Sequence, residues 1–211
     1  MRRWTPMELA AALMLSGCFT SKTAMITAAV ADTPFPDGAT FTEFGNCATV
    51  TLLQGACTGY KAQGTGSVSL KQSVYTFNPD PGDDTAAVAA AQGGGGADMT
   101  ALVKRIGDGL YVVQLPLGAP TSDASIPLDN YFYAFLRLEG KAAYVYIFTC
   151  EESGDRRYVR SGHLAAVTKS LFGASCEVGD VRKLAKIFRD RVANGAQPDK
   201  KFEFSAINPG V

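Results

Sequence analysis

A single histidine, five cysteines and a few short runs of carboxylates are the side chains of this chain best suited to chemistry. His163 stands in "VRSGHLAAV", and a Ser–His–Asp or Cys–His mechanism would need it, because imidazole is the usual base near neutral pH. No G-x-S-x-G elbow presents a serine to it. Cys150 lies upstream, with Arg156, Arg157 and Arg160 between, and those cations could lower a thiol pKa. A disulfide competes for the same cysteine, so His163 reads as a helix-start or surface residue and no catalytic residue is assigned. Glu151, Glu152 and Asp155 could supply the paired carboxylates of glycoside chemistry. Neighbouring side chains on extended backbone point apart, however, and these read as a solvated turn. With no C-x-x-C and one histidine, a zinc site is not expected. Asn78, Asp80, Asp83 and Asp84 lack the fixed spacing of a calcium loop. The "GTG" of Gly64 to Gly66 lacks the third glycine and the helix of a nucleotide loop. No metal and no cofactor other than a covalent lipid is expected.

That lipid is suggested by the N-terminus, "MRRWTPMELAAALMLSGC". Arg2 and Arg3 precede an apolar segment, Leu9 to Leu15, which is short for a signal-peptide core and too short to span a bilayer as a helix. The segment closes on Leu15-Ser16-Gly17-Cys18, an aliphatic residue, two small ones and a cysteine. It resembles the lipobox of bacterial lipoproteins, in which the cysteine thiol receives a diacylglyceryl group, the signal is cut before it, and the new amine is acylated. The resemblance is confined to this N-terminal segment. It implies that residues 1–17 are a signal peptide, that Cys18 is the lipidated first residue, and that the protein is exported to the cell envelope. Phe19 follows the cysteine where an aspartate would favour inner-membrane retention, so the periplasmic face of the outer membrane is implied. Acyl chains hold through about 0.8 kcal/mol per buried CH₂, and more than one makes a durable anchor. Two other readings stand beside this one. One is a secretory signal cut after Ala31, interrupted by Lys22; the other is a cytosolic N-terminal helix with Cys18 buried. With the lipobox, residues 18–38, carrying Pro34 and Pro36, form a lipidated tether.

In an exported chain the remaining Cys47, Cys57, Cys150 and Cys176 suggest two disulfides with three possible connectivities. Proximity favours Cys47–Cys57 and Cys150–Cys176, each adding about 2–4 kcal/mol.

Hydrophobic periodicity describes what must position these groups. Residues 39–211 read as one mainly β (α+β) domain: an antiparallel β-meander, curled or barrel-like, with a C-terminal amphipathic helix packed on it. A Gly/Asp-rich loop runs from Asn78 to Asp98. In "TALVKRIGDGLYVVQLPL" a two-residue turn at Asp108-Gly109 pairs Ile106 with Tyr111, Lys104 with Val113 and Leu102 with Leu115. In "NYFYAFLRLEGKAAYVYIF" a turn at Glu139-Gly140 pairs Phe135 with Tyr144, Tyr133 with Tyr146 and Tyr131 with Phe148. The other face of that hairpin holds Phe132, Ala134, Leu136, Ala143, Val145 and Ile147, so the hairpin is covered on both sides. Val181, Leu184, Ile187, Phe188 and Val192 give the C-terminal helix, begun at Asp180 and stopped at Asn194-Gly195. A shorter helix is expected through "HLAAVTKSLFG" and a last strand through "KKFEFSAI".

Two surfaces could bind. Tyr131, Tyr133, Phe135, Tyr144 and Tyr146 could line an apolar pocket, since tyrosine offers a ring and a hydroxyl, or could be core under the helix. Arg182, Lys183, Lys186, Arg189 and Arg191 could touch anionic head groups, or be a solvated helix face. Basic and acidic residues balance at 20 each, so nucleic acid is not an expected partner. The reading that follows is a membrane-anchored envelope lipoprotein, a non-enzymatic binding or envelope-organisation module. Its expected partners are the membrane, through the lipid, and an unknown envelope protein or small apolar ligand. The alternatives are a lipocalin-like carrier, although the chain has no lipocalin motif, and an exported hydrolase using His163.

Overall fold

The computed structural model describes residues 19–46, 59–80, 99–117, 130–170 and 173–208. The strands are β1 (Phe19–Ser21), β2 (Thr40–Asn46), β3 (Tyr60–Lys71), β4 (Val74–Pro79), β5 (Met99–Gly107), β6 (Leu110–Leu117), β7 (Asn130–Glu139), β8 (Ala142–Tyr146), β9 (Ala166–Ser170), β10 (Gly173–Glu177) and β11 (Lys200–Phe204). The α-helices are α1 (Glu152–Arg160) and α2 (Leu184–Ala193), and a 3₁₀ turn (Val181–Lys183) leads into α2. Strands β2 to β8 follow one another around a meander, and β11 pairs antiparallel with both β8 and β2. Because β6 also pairs with β7, these eight strands close into an antiparallel barrel. Beyond it, β1 pairs antiparallel with β7 and parallel with β10, which forms a hairpin with β9. The expected curled antiparallel sheet with a C-terminal helix is the architecture found.

Alternation decides what each wall faces. Phe41, Val68, Tyr75, Val103, Tyr111, Leu136, Ala143 and Phe204 point inward and form one core. On β2, β3 and β4 the opposite phase is polar, with Thr42 beside Thr65, Ser67 beside Asn78 and Ser69 beside Thr76. That is the reverse of a transmembrane barrel, which is apolar outside. On β6, β7 and β8 the opposite phase is apolar and makes a second core. Tyr133, Phe135 and Tyr146 are buried there with Phe19, Phe148, Leu184, Ile187 and Phe188. The Phe188 ring stands edge-on to Tyr146 at 5.0 Å and stacks on Phe135 at 5.6 Å. Asp180 caps the turn into α2 by accepting from the Arg182 N–H, and Gly195 takes φ +89° just past its end, as the sequence suggests.

Several expectations are corrected. Gly107 faces Leu110 across the Asp108-Gly109 turn, but an irregularity at Ile106 then pairs Arg105 with Tyr111, Val103 with Val113 and Leu102 with Gln114. The β7–β8 turn is Gly140-Lys141, pairing Phe135 with Tyr146 and Arg137 with Tyr144. This two-residue shift preserves the faces. The helix expected in "HLAAVTKSLFG" is strand β9, whose β-branched Val167 and Thr168 pair with Cys176 and Ser175. The run expected as a turn is helix α1, which buries Asp155 and Tyr158, three residues apart on one face. From Phe19 onward, residues expected to be tether belong to the fold: Phe19 and Ile26 are fully buried and Phe35 is 2% exposed. Residues 1–18, Cys47, Cys57 and most of the 78–98 loop lie outside the described residues.

The β3–β4 turn is built without glycine: Gln72 and Ser73 take φ +52° and +64°. A left-handed side chain costs about 1–2 kcal/mol, and Asn-Gly suits a turn with both φ positive. Replacing Gln72-Ser73 by Asn-Gly should therefore raise stability by about 1 kcal/mol. The urea midpoint should rise at unchanged slope, and an unchanged or lower midpoint would count against the turn geometry.

Candidate functional site

Among the described residues, one end of the barrel is plugged. Three tight turns, at Gln72-Ser73, Asp108-Gly109 and Gly140-Lys141, lie there, and the chain from Ala31 to Ala39 crosses between them. Phe35 inserts from this strap, stacking on Phe204 at 4.2 Å and meeting Tyr75 edge-on at 5.6 Å. The Tyr75 hydroxyl donates to the Phe35 carbonyl and accepts from the Phe35 N–H, both at 2.9 Å. Burial holds that hydroxyl far above the ordinary phenol range. Asp32 accepts from the Arg105 N–H at 2.7 Å and pairs with Lys104 at 3.1 Å, while its own N–H donates to the Val103 carbonyl. Gly38 donates to the Val68 carbonyl, and the Asn208 N–H donates to Pro34.

The other half of the interior differs. Phe77, Val113, Leu115, Val145 and Phe202 share the inward phase yet remain partly accessible, while Phe132 and Ala134 form a small separate cluster among them. Eight strands enclose an interior that side chains can just fill, or that can hold one small ligand. Here the plugged half is filled by Phe35, Phe41, Tyr75, Tyr111 and Phe204. Gly66 lets Phe41 lie there, since a Cβ on it would stand 2.6 Å from the Phe41 ring. The accessible half also carries charge. Glu43, in phase with Phe41, accepts a hydrogen bond from Lys200, in phase with Phe202 and Phe204. The Glu43 side chain is 12% exposed and that of Lys200 41%. Gln63 lies over Gly45 beside them. The wall is therefore apolar with one opposed pair of charges, a combination that can hold an apolar body and orient a polar head.

The expected site residues fall elsewhere. Tyr131, Tyr133, Phe135, Tyr144 and Tyr146 lie on the outer phase. Tyr133, Phe135 and Tyr146 are buried in the outer core, and Tyr131 and Tyr144 pack at its margin. Burial raises the hydroxyl pKa of Tyr133 and Tyr146. The Tyr133 hydroxyl donates to Gln114 Oε1 at 3.1 Å and lies 2.7 Å from Ser21 Oγ. Buried Gln114 binds the chain after β1, accepting from the N–H groups of Met25 and Ile26 and donating to the Ile26 carbonyl. His163 Nδ1 lies 2.8 Å from Ser161 Oγ at the end of α1, a helix-end arrangement with no third group aligned on the ring among the described hydrogen bonds. Cys150 and Cys176 are joined in a disulfide, as proximity suggests. Asp155 Oδ2 lies 3.5 Å from Cys176 Sγ, the only such metal-like cluster among the described residues. Bonded sulfurs offer no thiolate, and Arg191 holds that carboxylate oxygen at 2.7 Å.

The basic stripe of the 3₁₀ turn and α2 is largely engaged. Arg182 pairs with Asp180, Lys186 with Asp190 and Arg191 with Glu151 and Asp155, while Lys183 donates to the Gly162 carbonyl. Sequence reasoning missed Glu43 and Lys200 as site residues, although a signal was present. In "TFTEF" and "KKFEF" each charge stands two residues from a phenylalanine, in phase with the apolar face. No protein-family model, curated protein or solved structure matches the chain.

Proposed function

We propose that this is a non-catalytic binding protein of the bacterial cell envelope, exported, lipidated at Cys18 and held at the outer membrane, whose barrel takes a small apolar ligand in its accessible half. The observation that supports binding is the contrast between the two ends. Among the described residues, Phe35 plugs one and leaves the rim side chains Leu70 and Leu138 partly accessible there, whereas Phe77, Val113, Leu115, Val145 and Phe202 at the other stay partly accessible, which a barrel needing only a core would bury. The resemblance of Leu15-Ser16-Gly17-Cys18 to a lipobox supports the anchor. With Phe19 already in β1, the lipid would attach one residue from the fold and hold the domain close against the bilayer.

A neutral apolar fluorophore such as N-phenylnaphthylamine should brighten on binding the purified protein. Leu115→Trp, filling the accessible half, should abolish the signal while the far-UV spectrum stays that of the parent. Tyr131→Ala and Tyr144→Ala, at the outer margin, should leave it unchanged. Uptake that survives Leu115→Trp but fails in the two tyrosine variants would move the site to the outer face; no uptake by the parent would end the binding reading. For the anchor, denatured protein from native membranes should have the mass of residues 18–211 plus acyl chains, less the hydrogens of two disulfides. A chain beginning at Asp32 without lipid would overturn it.

A further inference from the structure

We infer that the ligand of the accessible half is a single-chain amphiphile whose head group is uncharged and both donates and accepts hydrogen bonds. The inference rests on the binding reading above and concerns what the Glu43–Lys200 pair would select. Glu43 stands on the inner wall two residues from Phe41 and directly across from Phe202, so its carboxylate, 12% exposed, lies in mostly apolar surroundings. Its charge is met by Lys200, whose long stem rises from the first residue of β11. Lys61, exposed on β3 where it faces Gly45, is also engaged and not free.

An anionic head brought to this pair gains Lys200 but meets Glu43 at the same distance. A cationic head gains Glu43 but displaces Lys200. The pair is already balanced, so either ion would enter beside the 12% exposed Glu43 with its own charge uncompensated, and taking an unpaired charge out of water is costly. An uncharged head need not separate the pair. The ammonium has three N–H groups and spends one on Glu43 Oε1, so it can donate again, while the carboxylate's other oxygen can accept. A hydroxyl or primary amide satisfies both, and the apolar chain lies along Val113, Leu115, Val145 and Phe202.

The test is displacement of N-phenylnaphthylamine from the full folded domain by three amphiphiles of equal chain: the glycerol monoester of dodecanoic acid, dodecanoate and dodecylammonium. The glycerol ester should displace the dye at about tenfold lower concentration than either ion, since only it leaves the pair intact. Glu43→Gln leaves Lys200 uncompensated and should improve dodecanoate about tenfold, with little change in dodecylammonium. Lys200→Gln should do the converse. A parent that takes dodecanoate or dodecylammonium as well as the ester overturns the inference, as does an order that neither variant changes. Should a variant fail to fold, the parent's ranking still decides. Absence of dye uptake by the parent refutes the binding reading itself, a distinct outcome.

Discussion

Arg191→Met should destabilise the domain by about 3–5 kcal/mol, because it strands a buried carboxylate. The Asp155 side chain is 2% exposed and that of Arg191 15%, and their ends meet at 2.7 Å. The guanidinium also donates to Glu151 Oε1 at 2.9 Å and to the Thr149 carbonyl at 3.1 Å, with its carbon 5.7 Å from the centre of the Phe148 ring. It therefore clamps the chain on both sides of Cys150, the residue that the disulfide ties to β10. Without it, Asp155 keeps only the Glu151 N–H on that oxygen, at 2.7 Å. Neighbouring cations on the 3₁₀ turn and α2 should behave differently. Arg182 and Lys186 are 80% and 51% exposed, so Arg182→Gln and Lys186→Gln should each leave the urea midpoint close to that of the parent. Asp155→Asn should cost less than Arg191→Met, because Arg191 retains Glu151 and the Thr149 carbonyl. The double variant should be less damaging than the sum, the mark of a coupled pair. Urea unfolding under non-reducing conditions measures all of these. If Arg191→Met costs no more than Arg182→Gln, the clamp is only an exposed ion pair.

This contrast shows where the sequence was legible and where it was not. Arg191 looks like its neighbours on the helix, and the partner that sets it apart lies 36 positions away on an element composed like a solvated turn. No local pattern carries that pairing. What is local was readable. The Asp108-Gly109 turn, the alternation of β7 and the capped apolar stripe of α2 each follow from a few adjacent residues. The β5–β6 register was lost at Ile106, because one extra residue in a ladder is invisible in composition but shifts every later pair. The β7–β8 hairpin posed another difficulty. Both its faces are apolar, so periodicity separates Phe132, Ala134 and Leu136 from Tyr131, Tyr133 and Phe135 but cannot say which set turns inward. Ring closure decides that, and it requires β11 to return between β8 and β2. The in-phase charges of Glu43 and Lys200 become a site only once those strands meet.

Raising the pH above about 10 should unfold the domain in one steep step, because its buried tyrosines resist ionisation. Tyr75, Tyr133, Tyr146 and Tyr158 are at most 2% exposed, and desolvation is the largest cause raising each hydroxyl's pKa. The sign follows from proton binding. An acid whose folded pKa lies above its unfolded value contributes full stability below the unfolded value, near 10 for tyrosine, and loses it as pH rises toward the folded value. In that window the unfolded chain has released protons that the folded chain still holds. Each such tyrosine steepens the loss by at most about 1.4 kcal/mol per pH unit, and only between its unfolded and folded pKa. Tyrosinate absorbance and far-UV circular dichroism should change together. Tyr146→Phe supplies the control, since the Tyr146 hydroxyl has no described hydrogen bond to lose: stability at neutral pH should hold, and the alkaline slope should fall by at most about 1.4 kcal/mol per unit. Tyrosines that all ionise near pH 10 while the circular dichroism stays constant would mean that their hydroxyls reach water, and that the outer core under α2 is looser than the contacts of Phe188 with Tyr146 and Phe135 imply.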